Sequence, residues 1–371
     1  MYISLDGSDT TGDGTSLYPF RTLVAAAPYL AGSGKIIAKA GDYVDEVFPL
    51  TIGSTIIAGE NRETTRFLYG DRITSADLED GYTKVYKKTA VNIPTSAYEV
   101  WQHDIQAATT EIIPAEVHAL QRGLTHRLSS YRMLRVGSIA EVEASAVPCF
   151  YMDGTETIYF QKSVGSDLAV NPVVVPVWTY AIADKVLSFE NFTMLYRPMN
   201  IMGGSVISLE DVSVKFNNYS CIYANGTSHV TSVGVECAGS HNDGCGYGDD
   251  AVASETDCWM HSNLDEGSSC HERSHIVRTG GLYEHNGSAG FVDVGSSITE
   301  ASGVLSRQNA GGNTQMVFTY YPAVVDNGNA ELINCTGTVT GAVTGGGAPG
   351  IRVRCYNCPD AVASDTVEVN P

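Results

Sequence analysis

An all-β solenoid, a parallel β-helix, is the fold class that this 371-residue chain predicts, and three observations predict it. First, six segments recur at twenty-odd residues: VLSFENFTML, SVISLEDVSVKF, HVTSVGVEC, ETDCWMHSNL, HIVRTGGLYEHN and ITEASGVLSRQN. With Phe192, Val212, Val233, Trp259, Leu282 and Val304 taken as equivalent points, the steps are 20, 21, 26, 23 and 22 residues. A period of this size built from strands and turns is the pattern of a stacked solenoid, in which each turn of chain is one rung pairing with the next. Second, none of the segments carries a helical stripe; each alternates like a short strand. Third, glycine is abundant, at 38 residues, and charged residues are only 17%. Glycine and asparagine supply the φ > 0 positions that repeated corners need.

The elements follow in order. YISL reads as a strand, and an Asp- and Gly-rich turn follows it. PFRTLVAAAPYL reads as a short amphipathic helix with Pro19 near its start. GKIIAKAGDY reads as a strand and turn, and TIIAGENRETTRF continues the first rungs. From about Gly70 to Asp184 the repeat lapses. That stretch holds Trp101 and Trp178, alternating runs such as YTKVY and TIYFQ, and the hairpin signal Asp153-Gly154. It predicts an inserted antiparallel β-subdomain, in which PAEVHALQRGLTHRL has the pattern of a helix. The solenoid resumes at Val186 and runs to about Asn309. Beyond it, AVVDNGNAELINCTGTVTG and GIRVRCYNC suit further rungs, and GAVTGGGAPG a flexible loop. The expected organisation is a cap and first rungs over 1–69, the insertion over 70–184, the main β-helix over 185–310 and a terminal region over 311–371.

Over Tyr2 to Glu46 the pattern of strand, G-S-D-x-x-G-D-G-T, P-F-x-T-L-x-x-A, strand and G-x-Y resembles the entry cap of right-handed parallel β-helix proteins. That group includes pectate-lyase-like enzymes and bacteriophage tailspikes. The resemblance implies a right-handed coil whose open end is covered by the N-terminal helix. The insertion, ending in FYMDGTETIYFQ, is similar to insertions in β-helix carbohydrate enzymes and tail proteins.

The net charge of −20, from 42 acidic and 22 basic residues, argues against binding nucleic acid through its phosphates. It leaves room for a polysaccharide ligand, and for a polyanionic one if a basic patch is present. Nine cysteines, an odd number, leave at least one without a partner in the chain. Several occupy apolar alternation positions, Cys237 and Cys335 among them, and read as buried thiols. Cys355 and Cys358 form a lone CxxC, which fits a terminal disulfide or two plain thiols better than zinc. Met1 leads straight into YISLDGSD, without a basic and apolar leader, and no apolar run has the length of a membrane span.

The densest polar chemistry lies between His229 and Asp293, in HNDGCGYGDD and DEGSSCHERSHIVRTGGLYEHN. Hydrolysis of a glycosidic bond needs two carboxyl groups flanking it, one protonated and one ionised. Residues one repeat apart stack at about 4.8 Å, so carboxylates on adjacent rungs suit that task. Asp243, Asp249, Asp250, Asp265, Glu266, Glu272 and Glu284 are the candidates. A lyase instead needs a base and a cation that neutralises a uronic carboxylate, roles that His271 with Arg273 or Arg278, and Tyr283 as acid, could fill. The residues favoured for catalysis are Asp243, Asp250, His271, Glu272, Arg278 and Tyr283; those favoured for holding substrate are His241, Tyr247, Trp259 and Arg273. No metal ligand set is expected. Asp6, Asp9 and Asp13 could offer oxygens to Ca²⁺, but their Gly-rich setting reads first as a polar turn.

From about Gly239 to Asp293 the chain resembles a stretch, NDGxxYH then GSSxH then VIRVGGxYxxN, of β-helix phage tail proteins and their bacterial homologues. Asn242, Asp243 and Gly244 match the first block and Ser268, Ser269 and His271 the second; Gly248 stands where the pattern has His. The resemblance implies a tailspike-like virion protein that binds host surface polysaccharide, with or without depolymerising it. It also implies a homotrimer and other phage tail proteins as partners. The alternatives are a secreted bacterial polysaccharide lyase or glycoside hydrolase, and a non-catalytic module of a tail tip.

Overall fold

The computed structural model of the chain describes residues 1–30, 33–48, 55–89, 91, 99–103, 130–154, 156–177, 181–309, 316–320, 329–343, 352–363 and 367–370. It is a parallel β-solenoid. Sheet I has 12 strands, from Tyr2–Ile3 to Val367–Asn370, and sheets II and III have 8 each. One rung takes a strand from each sheet in turn, as in His229–Val233, Glu236–Ala238 and Cys245–Tyr247.

Left-handed residues turn the chain at the three corners, one at each turn named here except for the pair Gly280–Gly281. Asn191, Asp211, Gly234, Asp257, Gly280 and Gly303 share the corner between sheets I and II. Phe216, Gly239, Ser262, His285 and Gln308 share that between II and III, and Gly203, Gly226, Asp249, Glu272 and Gly295 that between III and I. This explains the enrichment in Gly, Asn and Asp, the residues that tolerate αL backbone best.

The register corrects the sequence spacing. Val206, His229, Val252, His275 and Ile298 pair in succession along sheet I. The step is 23 residues, as it is between Asn263, Asn286 and Asn309. On successive rungs the residue before the sheet II strand is Phe192, Val212, Val235, Cys258, Gly281 and Val304, so Val233, Trp259 and Leu282 are not equivalent to Val212. The 26-residue step expected between Val233 and Trp259 therefore contains no extra loop. Mid-solenoid the rungs are uniform, and the asparagine ladder follows that repeat: Asn263 Nδ2 donates to Asn286 Oδ1 at 3.0 Å, and Asn286 Nδ2 to Asn309 Oδ1 at 2.9 Å.

Inward positions alternate along every strand and fill the bore. Phe189, Met194, Ile201, Leu209, Val214 and Ile222 are all fully buried, each contributing about 1.5–3 kcal/mol by leaving water. All nine cysteines are buried free thiols, Cys355 and Cys358 included. The N-terminal helix is shorter than its sequence pattern: Leu23–Ala26 is α-helical with Thr22 as N-cap, and Pro28 takes it into a 3₁₀ turn, Ala27–Tyr29. Leu23, Ala26 and Leu30 close the end of the bore.

Thr55–Gly59 pairs directly with Val186–Glu190, and Thr65–Leu68 with Thr193–Leu195. The chain between them adds no rung to sheets I and II until it returns. It contributes two small sheets, with the expected hairpin between Cys149–Asp153 and Thr157–Gln161. All their pairs are antiparallel except Leu134–Arg135 on Cys149–Asp153. A helix not anticipated from sequence, Ile139–Ala144, lies between them; the helix expected over PAEVHALQRGLTHRL and the residue Trp178 lie outside the described residues. The terminal region adds rungs: Asn329–Ile333, Arg352–Tyr356 and Val367–Asn370 extend sheet I, and Met316–Tyr320 and Val339–Val343 extend sheet III. Among the described residues no helix is long and apolar enough to cross a membrane.

Candidate functional site

The outer face of sheet III is the floor of the candidate site, called the trough below; Gly246, Ser269 and Asp243 in it are buried, and Tyr223, Asp265 and Glu266 are part-exposed. Tyr223, Gly246 and Ser269 pair in register there, one per rung. Gly246 keeps the floor low: a Cβ at this position would lie 2.9 Å from the Tyr223 ring and 3.4 Å from Asp243 Oδ2. The II–III corner makes one wall and the III–I corner, with Gly248, His271 and Glu272, the other.

The II–III wall carries the chemistry. Asp243 and Glu266 occupy the same column one repeat apart, the Glu266 amide donating to Asp243 Oδ1 at 3.4 Å across 23 residues. Asp265 precedes Glu266, and single oxygens of Asp243, Asp265 and Glu266 all lie within 4.8 Å of one another. Ser269 Oγ donates to Asp243 Oδ2 at 2.6 Å, and Asn242 Nδ2 to the same oxygen at 3.3 Å. Burial raises the Asp243 carboxyl above the ordinary carboxylate range. Burial and then the Glu266 charge push Asp265 up to about 6. Burial, a hydrogen bond to Asp243 and the Asp243 charge push Glu266 up to about 7. Three carboxyls in this space ionise in separate, raised steps, so the cluster keeps a proton up to about pH 7.

Aromatic and imidazole groups surround it. Tyr219 and Tyr223, both half-buried, meet edge to face at 5.5 Å. The imidazoles of His241 and His271 are close enough to act electrostatically on Asp265, in the direction that lowers its pKa. The insertion holds His241 in place: its Nδ1 lies 2.9 Å from Glu99 Oε1, and Glu99 also pairs with Arg132 at 3.1 Å. Arg132 in turn donates to the Ser240 carbonyl at 3.1 Å and lies 4.8 Å over the Trp101 ring, which packs on Phe216.

Of the residues expected from sequence, Asp243, His241 and His271 gather at the trough. Glu272 is at its edge as an αL corner residue, accepting the Asp249 amide at 3.2 Å. Asp250 and Arg273 form an exposed bidentate pair at 2.7 Å on the III–I corner. Trp259 is on sheet II, stacked on His261 at 3.9 Å. Arg278, Tyr283 and Tyr247 are inside the bore and fully buried, where a polymer cannot touch them. Tyr247 and Tyr283 donate to the two oxygens of Glu255 at 3.0 and 2.5 Å, and Arg278 lies between Glu255 at 3.5 Å and Asp293 at 3.3 Å. The set suited to a lyase is thus split between bore, corner and trough. Asp265, Glu266, Tyr219 and Tyr223 were not among the favoured residues; adding the 23-residue step to Asp243 leads directly to Glu266.

At the N-terminus Asp9 accepts the Arg21 and Thr22 amides at 2.7 and 2.9 Å, and Asp13 that of Thr15 at 2.9 Å, the bonding of a polar turn. Among the described residues the group close enough to share a divalent cation is Asp243, Asp265 and Glu266, whose hard oxygens would suit Ca²⁺ or Mg²⁺.

No protein-family model matches the sequence, and no curated protein matches it. The chain is similar in structure to a solved glycoside hydrolase at a TM-score of 0.50 and 10% identity, covering 100% of this chain and 94% of that one. It is also similar to XylC, solved in complex with xylose, at a TM-score of 0.45 and 9% identity over 99% of this chain and 85% of that one. The tailspike gp61 of Pseudomonas phage phi297 matches at a TM-score of 0.24 and 10% identity over 94% and 66%. At such identities the likeness shows the parallel β-helix fold alone.

Proposed function

We propose that the trough on sheet III is the active site of a glycoside hydrolase acting on a polysaccharide. The observation that supports this reading is the Asp243–Asp265–Glu266 cluster, whose carboxyls ionise at different and raised pH. Groups pushed apart in this way divide acid and base roles between them. Glu266, pushed up to about 7 against about 6 for Asp265, protonates the leaving glycosidic oxygen. Asp265, ionised first and beside Glu266 on the same wall, serves as base for the attacking water. Asp243 keeps the Glu266 proton in place, and the cluster's residual negative charge favours the positive oxocarbenium-like transition state. Tyr219 and Tyr223 offer faces for a sugar ring to stack on.

Reducing-end release across a broad polysaccharide panel tests the reading. Product is expected from at least one polymer, and none from any polymer with the fold intact would sink it. A second reading, a tailspike-like virion component bound to host polysaccharide and to other tail proteins, draws on the resemblance around Asn242–Gly244 and Ser268–His271. It also draws on Val186 and Val206, 51% and 46% exposed on sheet I, a face that rods packed side by side would cover. A light-scattering mass of three chains would favour it, and a mass of one chain would count against it.

A further inference from the structure

We infer that the trough takes an uncharged glycan, and that a sugar carrying a carboxylate is disfavoured where the bond is cut; this rests on the hydrolase reading above. A uronic acid bound at this point would bring a negative charge against three carboxyls within 4.8 Å of one another. A uronate site must supply a compensating cation, as a bidentate guanidinium does for a carboxylate. Among the described residues each arginine close to the trough is engaged elsewhere. Arg132 is buried against Glu99 and the Ser240 carbonyl. Arg273 is held at Nε and Nη2 by Asp250 on the far corner, and Arg278 is enclosed in the bore between Glu255 and Asp293.

The groups that do act on Asp265 to lower its pKa are the imidazoles of His241 and His271, and His241 is already paired with Glu99 at 2.9 Å. The wall across the floor adds Glu272, a further acid. What the trough offers instead suits hydroxyls and C–H faces: the part-exposed Asn242 beside Asp243, and the part-exposed Tyr219–Tyr223 pair on the rung below. Hydroxyl groups and ring faces are the whole surface of a neutral hexose or pentose unit, so these residues suffice for it.

The test uses the full chain and matched substrate pairs: uronate polymers and the same polymers after chemical reduction of their carboxyls to alcohols, which keeps the linkages and removes the charge. Natural neutral glucans, xylans and galactans are run beside them. The expected result is cleavage of one or more uncharged polymers with kcat/KM at least tenfold above that of the charged counterpart, the gap narrowing as salt is raised. Affinity electrophoresis of Glu266→Gln reads binding without turnover, and retardation by the neutral polymer alone is expected. Equal or faster cleavage of the uronate form overturns the inference and leaves the hydrolase reading standing. No cleavage of any polymer by well-folded protein overturns the hydrolase reading, and the inference with it.

Discussion

Two clusters of buried charge lie on opposite sides of sheet III in neighbouring rungs, and they differ in what neutralises them. In the bore, Glu255 and Asp293 share Arg278, and Tyr247, Tyr283 and Ser268 donate to the remaining Glu255 oxygens. Burial alone would lower the Arg278 pKa, but Asp293 and then Glu255 hold it above its ordinary value. Each charge there has a partner, so the cluster is fixed and inert. In the trough, Asp243, Asp265 and Glu266 have hydrogen bonds but, among the described residues, no arginine or lysine drawn to them, and all three are pushed upward. Carboxylates that share a guanidinium build the rod, while carboxylates without an arginine or lysine hold protons to a raised pH at its surface, the property that the proposed reaction uses.

Removing one member from each cluster exposes the difference most strongly. Glu266→Gln is expected to lower kcat by roughly 10²–10⁴-fold, the usual contribution of a positioned general acid, while stability stays within about 1 kcal/mol because a repulsive group is neutralised. Arg278→Ala is expected to do the reverse, destabilising by about 3–5 kcal/mol because two carboxylates are left buried without a cation. Chemical denaturation alongside activity per folded molecule checks both. A stable Arg278→Ala protein would break the comparison from the bore side.

The next effect is smaller and depends on pH. Asp265 and Glu266 bind protons more tightly folded than unfolded, so their contribution to stability is complete below about pH 4. It is lost as pH rises through about 6 and then about 7. Denaturation midpoints measured across that range are expected to fall in the wild type and to fall less in Asp265→Asn/Glu266→Gln. Activity is expected to be bell-shaped, its limbs set by the same two carboxyls.

The smallest effect concerns the insertion that positions His241. Gly239 has φ +70°, and a Cβ there would lie 2.9 Å from the Phe216 ring and 3.0 Å from Trp101. Gly239→Ala is expected to cost about 1–2 kcal/mol from the αL strain and to raise KM more than it lowers kcat. Unchanged KM would show that the seating of the insertion does not govern the trough.

The same contrast explains what the sequence made legible. The solenoid, its cap, the inserted hairpin and the buried thiols are all local patterns: alternation, turn chemistry and a repeat. The site was only partly legible, because its members are defined by which face of a rung they occupy. Arg278 in HIVRT looks like a surface cation, yet the 23-residue register stacks it inward on Glu255. Asp243 stands out through the match of Asn242-Asp243-Gly244 to the tail-protein pattern, while Glu266, also a carboxylate candidate, is not singled out, since steps of 20 to 26 residues do not place it on the column of Asp243. The Glu99–His241 contact joins positions 142 residues apart and leaves no local trace.

The central claim is that the trough retains a proton near neutrality, and infrared difference spectroscopy of the carboxyl band tests it directly. Wild type minus Asp265→Asn/Glu266→Gln is expected to show protonated carboxyl absorption that disappears in steps near pH 6 and pH 7. A difference spectrum in which every carboxyl has ionised by pH 5 would contradict it.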